Sequence, residues 1–316
     1  MSDVYLDQVG FALGGQTHTV EDAGRMGRLR SDPAALRESG FEVHHVCPPH
    51  ETAYDLARAA AQSIGADLGG VDALIYSTCL PQNGNVGRAE AFAQSRDAKH
   101  LMDFAGCHLQ ADLGLERAQV IGLTQQACTG LLGSVHLAQA LLALEGGWEQ
   151  VLCLSADRFP EGALYEQSFN LVSDGAAACL VSRGPGAFRL RTVHGRTNGA
   201  LANASDDEAA GSFFAWSHRV IHQTLAKAGL EIGDLALLVA QNMNRKALEI
   251  LARLLPLDPA RMVCPTLAEV GHVISGDNLI NLKRLQADGA LRRGDLVLLF
   301  MAGYGLNWQG AVLEVC

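Results

Sequence analysis

The chain is short of positive charge, short of aromatic residues and free of clustered cysteines. Lys and Arg number 24 against 34 Asp and Glu, and the net charge of −10 argues against a nucleic-acid binder. The same deficit means that contact with a phosphate or an acidic carrier protein has to use a local basic patch. Eight cysteines stand at 47, 79, 107, 128, 153, 179, 264 and 316, without a Cys-x-x-Cys pair or a Cys/His group at metal-ligand spacing. A zinc site and a disulfide framework are therefore not expected, nor is any other metal or cofactor. Cys153 and Cys179 lie inside apolar runs and read as small core residues. No 18-residue apolar run is evident, and Met1-Ser2-Asp3-Val4 has no basic character, so a cytoplasmic protein without a membrane partner is expected. With 48% hydrophobic and 18% charged residues over 316 positions, the chain can bury a large core and does not have the composition of a disordered one.

What is present is a single cysteine in a distinctive setting. Thr124-Gln125-Gln126-Ala127-Cys128-Thr129-Gly130 is a run of small and polar residues followed at once by Leu131, Leu132, Val135, Leu137, Ala138, Leu141 and Leu142. That pattern places a thiol at the start of a buried helix, where the helix dipole favours thiolate over thiol. With a base in reach, such a cysteine is a nucleophile for acyl transfer. Read without its context, it is equally a buried structural cysteine.

Periodicity shows one pattern used twice. A helix over 53–65 and a strand at Val71–Ser77 are matched by a helix over 216–228 and a strand at Leu235–Ala240. The Cys128 helix leads to a strand at Val151–Ser155, and a helix opened by Gly271-His272-Val273-Ile274-Ser275-Gly276-Asp277-Asn278 leads to a strand at Leu296–Phe300. Cys128 and His272 thus hold matching places, and packing of the duplicates about a pseudo-dyad would bring thiol and imidazole together. The strands are continuously apolar, as in sheets covered on both faces by helices. Loops near 80–110 and 195–215 are expected to shape the pocket, and Asp174 and Gly175 to form a tight turn.

Three motifs in order resemble the thiolase superfamily, and within it the ketoacyl-synthase III-like enzymes. They are the Cys128 segment, Leu171-Val172-Ser173-Asp174-Gly175-Ala176-Ala177-Ala178, and Phe300-Met301-Ala302-Gly303-Tyr304-Gly305-Leu306-Asn307-Trp308. The resemblance implies an α/β chain with the five-layer αβαβα fold, two pseudo-symmetric halves (1–165 with the nucleophile, 166–316 with the histidine) and a homodimer. Departures from the family pattern carry further information. Where its members have His-Gln-Ala-Asn, this chain has Gln241-Asn242-Met243-Asn244, so Gln241, or Asn242 if the alignment slips by one, replaces the usual histidine. Where they have Gly-Asn-Thr-Ser, it has Gly271-His272-Val273-Ile274. The sequence resembles a smaller branch of acyltransferases and starter-unit enzymes of secondary metabolism with a Gly-His-x-x-x-Gly-Asp motif, and that likeness implies a Cys128, His272, Asp277 trio.

On this reading Asp277 fixes the imidazole tautomer and neutral His272 serves as the general base. The backbone N–H of Cys128 and the Gly303-Tyr304-Gly305 turn hold the oxyanion, with Gln241 and Asn244 as supporting amides. Arg245 and Lys246 resemble basic residues that meet the phosphates of the donor, and Arg28, in a basic stretch, is a further donor contact. The family's N-terminal tryptophan clamp for coenzyme A is missing, which leaves acyl-CoA and acyl carrier protein both open as donors, with a small molecule as acceptor. The leading expectation is an acyltransferase. A carbon–carbon-forming condensing enzyme and a non-catalytic partner subunit of a heterodimeric synthase are the alternatives.

Overall fold

The computed structural model describes residues 3–81, 89–167, 170–304 and 306–316. The first repeat runs β1 (Tyr5–Leu13), β2 (Gln16–Thr19), α1 (Val20–Arg25), α2 (Pro33–Glu38), β3 (Val43–Val46), α3 (Ala53–Gln62), β4 (Ala73–Ser77), α4 (Ala89–Ser95), α5 (Ala105–Asp112), β5 (Gln119–Leu123), α6 (Gly130–Leu144), β6 (Gln150–Asp157), β7 (Glu166–Gln167), β8 (Asn170–Leu171) and β9 (Gly175–Ser182). The second runs β10 (Phe188–Thr197), α7 (Asp206–Ala228), β11 (Leu237–Val239), α8 (Arg245–Leu254), β12 (Met262–Val263), α9 (Leu267–Val270), α10 (Asp277–Ala287), β13 (Leu296–Gly303) and β14 (Asn307–Val315).

The strand order is β12-β11-β13-β14-β10-β1-β9-β6-β4-β5, which reads the same from the centre outward in both repeats. Only Tyr5↔Arg189 and Leu6↔Phe188 join β1 to β10, so the array is two five-stranded sheets meeting at an edge. Side-chain alternation along the strands then builds the layers. Val297, Leu299 and Met301 of β13 face a central core with Leu131 and Val135 of α6, Leu279 and Leu282 of α10, and Ile75 and Cys153 of the other sheet. Leu298 and Phe300 face α7 and α8 instead. Leu74, Tyr76, Leu152 and Leu154 face α3 and α5. Helix, sheet, helix, sheet, helix is the expected five-layer α/β arrangement. Each fully buried Leu or Phe contributes roughly 1.5–3 kcal/mol, so the doubly covered sheets dominate stability.

Local signals explain the helix starts. Thr52 and Asp55 form a capping box on α3, and Ser205 and Glu208 do the same for α7. Gly229, at φ 71°, ends α7 in the left-handed conformation that glycine adopts without strain.

Three expectations need correction. The loop expected over 195–215 ends at Ser205, because the capping box there opens α7 ten residues before its apolar periodicity begins. The boundary at 165/166 separates β9 from its partners β1 and β6, so the repeat ends after Ser182. An apolar stretch of 18 residues does exist: Ala127–Leu144, of mean hydropathy 1.5, is long and apolar enough to cross a membrane by length and composition. It comprises the Cys128 turn and α6, whose Leu131, Leu132 and Val135 are buried in the central core.

Candidate active site

Cys128 lies in a single 3-10 turn, Ala127–Thr129, that leads from β5 into α6. Ala127 has φ 46°, a left-handed conformation that strains a residue with a Cβ, so the turn is sharp. Thr129 Oγ1 closes it by donating to Gln126 O at 2.7 Å. Gly303 lies flat against its back: a Cβ there would sit 2.9 Å from the Cys128 nitrogen and 3.0 Å from Gln126 O, so only glycine lets the end of β13 approach.

His272 is fixed from the other repeat. Its N–H donates to Leu171 O at 2.8 Å and its carbonyl accepts from the Ser173 N–H at 2.9 Å. Gly271 before it has φ 70° and no space for a Cβ, which would meet Leu171 O at 2.9 Å. Nδ1 of the buried imidazole pairs with Asp277 Oδ2 at 2.5 Å. The same oxygen accepts the Asn242 N–H at 2.8 Å, and Oδ1 accepts the Val273 N–H at 2.7 Å. Cys128 lies close enough to the imidazole to act on its charge. With Nδ1 committed to Asp277, Nε2 is the nitrogen left for the sulfur. Burial opposes a charge on His272, but the Asp277 carboxylate and its hydrogen bond, with the nearby Cys128 sulfur, outweigh it and raise the pKa to about 10. That shift favours the charged form of the imidazole in the resting site.

Two strained turns, one from each repeat, meet here. Ile274 has φ 38°, rare for a β-branched residue, and Ser275 Oγ next to it donates to Ala127 O at 3.2 Å. Tyr304, at φ 49° and 70% exposed, is the third strained residue, in the turn after Gly303. Gly305 lies outside the described residues.

The supporting residues are placed differently from expectation. Gln241 accepts the Ala302 N–H on Oε1 at 2.7 Å, leaving its NH2 as the donor it can offer beside Gly303. Asn244 caps α8: Oδ1 takes the Lys246 N–H and Nδ2 donates to Ser39 Oγ, each at 2.8 Å. Arg245 and Lys246 are exposed on the first turn of α8. The Arg28 guanidinium lies over the Tyr165 ring, 5.4 Å from its centroid, and is half-buried. Asp174 is no simple turn residue: fully buried, its carboxylate accepts from Cys47 N, Phe159 N and Tyr165 Oη, and burial pushes its pKa up.

Sequence reasoning missed Cys79. It follows β4, packs with Cys128 on one apolar cluster, and has its thiol pKa raised by burial and then by the Cys128 charge. Asp157 Oδ1 holds its turn, accepting from Thr78 Oγ1, Cys79 N and Leu80 N at 2.7, 2.8 and 3.0 Å. An Asp closing β6 was the available signal, but its partner lies 78 residues away.

The model of the 3-oxoacyl-[acyl-carrier-protein] synthase III C-terminal region matches residues 225–315. The beta-ketoacyl-[acyl-carrier-protein] synthase III of Chlamydia caviae is 24% identical, over 90% of this chain and 89% of its own. Among solved structures, 3-oxoacyl-[acyl-carrier-protein] synthase III from Aquifex aeolicus superposes with a TM-score of 0.77 at 18% identity, covering 98% of this chain and 99% of that one. The acyltransferase ChlB3 superposes at 0.81 with 21% identity, covering 99% and 98%. Residues 225–315 hold His272, Asp277 and the glycine turn, and the curated likeness extends through the Cys128 half, so the chain is similar over most of its length to thiolase-like ketoacyl synthase III proteins.

Proposed function

We propose that this protein is an acyltransferase that takes an acyl group from a thioester onto Cys128 and passes it to a small-molecule acceptor. The observation that carries the reading is the His272–Asp277 pair at 2.5 Å, with Cys128 near enough to the ring to act on its charge. A charged imidazole beside the sulfur makes the resting state a thiolate–imidazolium pair. The thiolate attacks the donor carbonyl, and the oxyanion forms within reach of the Cys128 N–H. Collapse breaks the thioester C–S bond, and the departing thiolate takes the proton from Nε2. Acylation removes the charge from Cys128, and with it part of what held that proton. The neutral imidazole then takes a proton from the acceptor's hydroxyl or amine as that atom attacks the acyl carbon. Collapse of the second tetrahedral intermediate restores thiolate and imidazolium, so charges and protons balance over the cycle.

The donor is an acyl-CoA or an acyl carrier protein, with Arg245 and Lys246 the exposed candidates for its phosphates and Arg28 a less accessible third. The setting is secondary metabolism, supported by the Gly271-His272…Gly276-Asp277 motif, while likeness in fold to ChlB3, an acyltransferase, supports the reaction class. The working form is a homodimer, supported by β5, a sheet-edge strand with an open side among the described residues.

Intact mass after incubation with acyl-CoA or acyl-carrier donors tests this. A mass gain that vanishes in Cys128→Ala is expected; no gain with any donor removes the reading and leaves that of a silent partner subunit. Gln241 supports a second reading, a carbon–carbon-forming synthase, because its NH2 can hold a developing enolate. Carbon dioxide released from malonyl donors selects it, and transfer of an intact acyl group selects the first.

A further inference from the structure

We infer that Asn242 is a positioning residue whose side-chain amide and backbone N–H hold the two ends of the His272–Asp277 loop and so set the carboxylate on the imidazole. The inference deepens the acyl-transfer reading, since it assigns the part of the scaffold on which the Cys128–His272 pair depends. At the near end, Asn242 Nδ2 donates to the carbonyl of Gly271, the residue before His272, at 2.7 Å. At the far end, the Asn242 backbone N–H donates to Asp277 Oδ2 at 2.8 Å, the oxygen that also receives His272 Nδ1.

That backbone N–H is held in place by its own side chain. Nδ2 also donates to Thr266 Oγ1 at 3.1 Å, and Oδ1 accepts from Asn281 Nδ2 at 2.9 Å. Thr266 and Asn281 are bound to each other, Oγ1 to Oδ1 at 2.7 Å, and Asn281 Nδ2 also reaches Ala240 O at 3.2 Å on the approach to Asn242. Asn242 and Asn281 are fully buried and Thr266 is 3% exposed, so water does not replace a lost bond cheaply. No alternative partner is needed, because every polar atom of the Asn242 amide is engaged. A network in this state fixes one geometry, and it fails as a unit when one member is cut.

Elsewhere such a network is scaffolding. Here it ends on the atom that keeps the imidazole charged, so its loss reaches the Cys128 thiolate. Released, Asp277 Oδ2 moves off Nδ1, the imidazolium loses its counter-charge, and less thiolate is present at a given pH. Iodoacetamide reads this without any acyl donor: the Cys128 thiolate displaces iodide from the reagent to give the carbamidomethyl thioether, and peptide mass spectrometry separates Cys128 from the exposed Cys107 and Cys316.

The expected result is a wild-type Cys128 that alkylates readily near neutral pH and an Asn242→Ala enzyme whose rate there falls about tenfold, recovering only at higher pH, as a shift in the thiolate population requires. Thr266→Val keeps the side-chain shape and removes the hydroxyl; a smaller shift in the same direction is expected, with Thr266→Ser restoring the wild-type profile. Folded Asn242→Ala and Thr266→Val proteins with unchanged alkylation profiles overturn the inference, and if the first does not fold, the Thr266 pair decides alone. A wild-type Cys128 that alkylates like Cys107 removes the ion pair and the inference with it. Failure of every acyl donor to load Cys128, with the alkylation shifts intact, removes only the acyl-transfer reading.

Discussion

On the proposed acyl-transfer reading, His272 is one buried side chain with two successive roles. In the proposed cycle the charged imidazole is the counter-ion of the Cys128 sulfur, and after acylation, with that neighbour's charge gone, it accepts the acceptor's proton. Replacing it therefore acts unevenly. In His272→Ala, acyl loading seen by intact mass is expected to persist while steady-state turnover falls by about 10²–10⁴, the usual value of a general base; unchanged turnover removes His272 from the mechanism. The same residue links stability to pH. Its folded pKa of about 10 lies above the ordinary 6.5, so the stability it confers is fully present below about 6.5 and disappears as pH rises through about 10. Denaturant midpoints of wild type and His272→Asn should therefore differ most at low pH and converge at the alkaline end. The three candidates and the His272–Asp277 pairing were legible, because Cys128, His272 and Asp277 sit in local motifs. Cys79 and the Asn242 network were not: their meaning lies in contacts between segments far apart in the chain, such as Asn242 with Asn281.

At the scale of elements, function is concentrated in tight junctions between strands and helices. Ala127, Ile274 and Tyr304 all have positive φ, which puts unfavourable backbone at the Cys128, His272 and Gly303 turns. Gly303→Ala is the direct probe of their fit. Its Cβ would crowd the Cys128 nitrogen at 2.9 Å, displacing an oxyanion donor, and kcat is expected to fall by about 10²–10³; because the contact is with backbone, a lower thermal midpoint is expected with it. Asn244→Ala should behave oppositely. It removes the cap of α8 and a bond to Ser39, costing about 1 kcal/mol in a melting experiment while acyl loading of Cys128 continues. Apolar periodicity revealed the interiors of α3, α7 and the strands, but not the polar first turns of α7, where Ser205 and Glu208 were the signal to read.

For the whole molecule, the mirrored strand order explains why a thiol and an imidazole more than a hundred residues apart share a site. Duplication places the turn before α6 opposite the turn before α10, and the central layer brings the two helices together. The repeat was visible in the sequence, whereas its boundary was not, because β9 follows the short β7–β8 excursion and returns to the first sheet. The open side of β5 bears on assembly: light scattering is expected to give twice the 33.5 kDa chain mass, and a single-chain mass overturns the dimer.

The slender seam between β1 and β10 has a consequence for how this protein fails. Two residue pairs cannot clamp the sheets, so α6 and α10 act as the adhesive between them, and they are also the helices whose leading turns carry sulfur and imidazole. Heat cannot pry the repeats apart and spare the chemistry. Loss of activity and collapse of the fold should therefore track each other along a single melting curve, with no intermediate temperature at which an intact shell surrounds a dead centre.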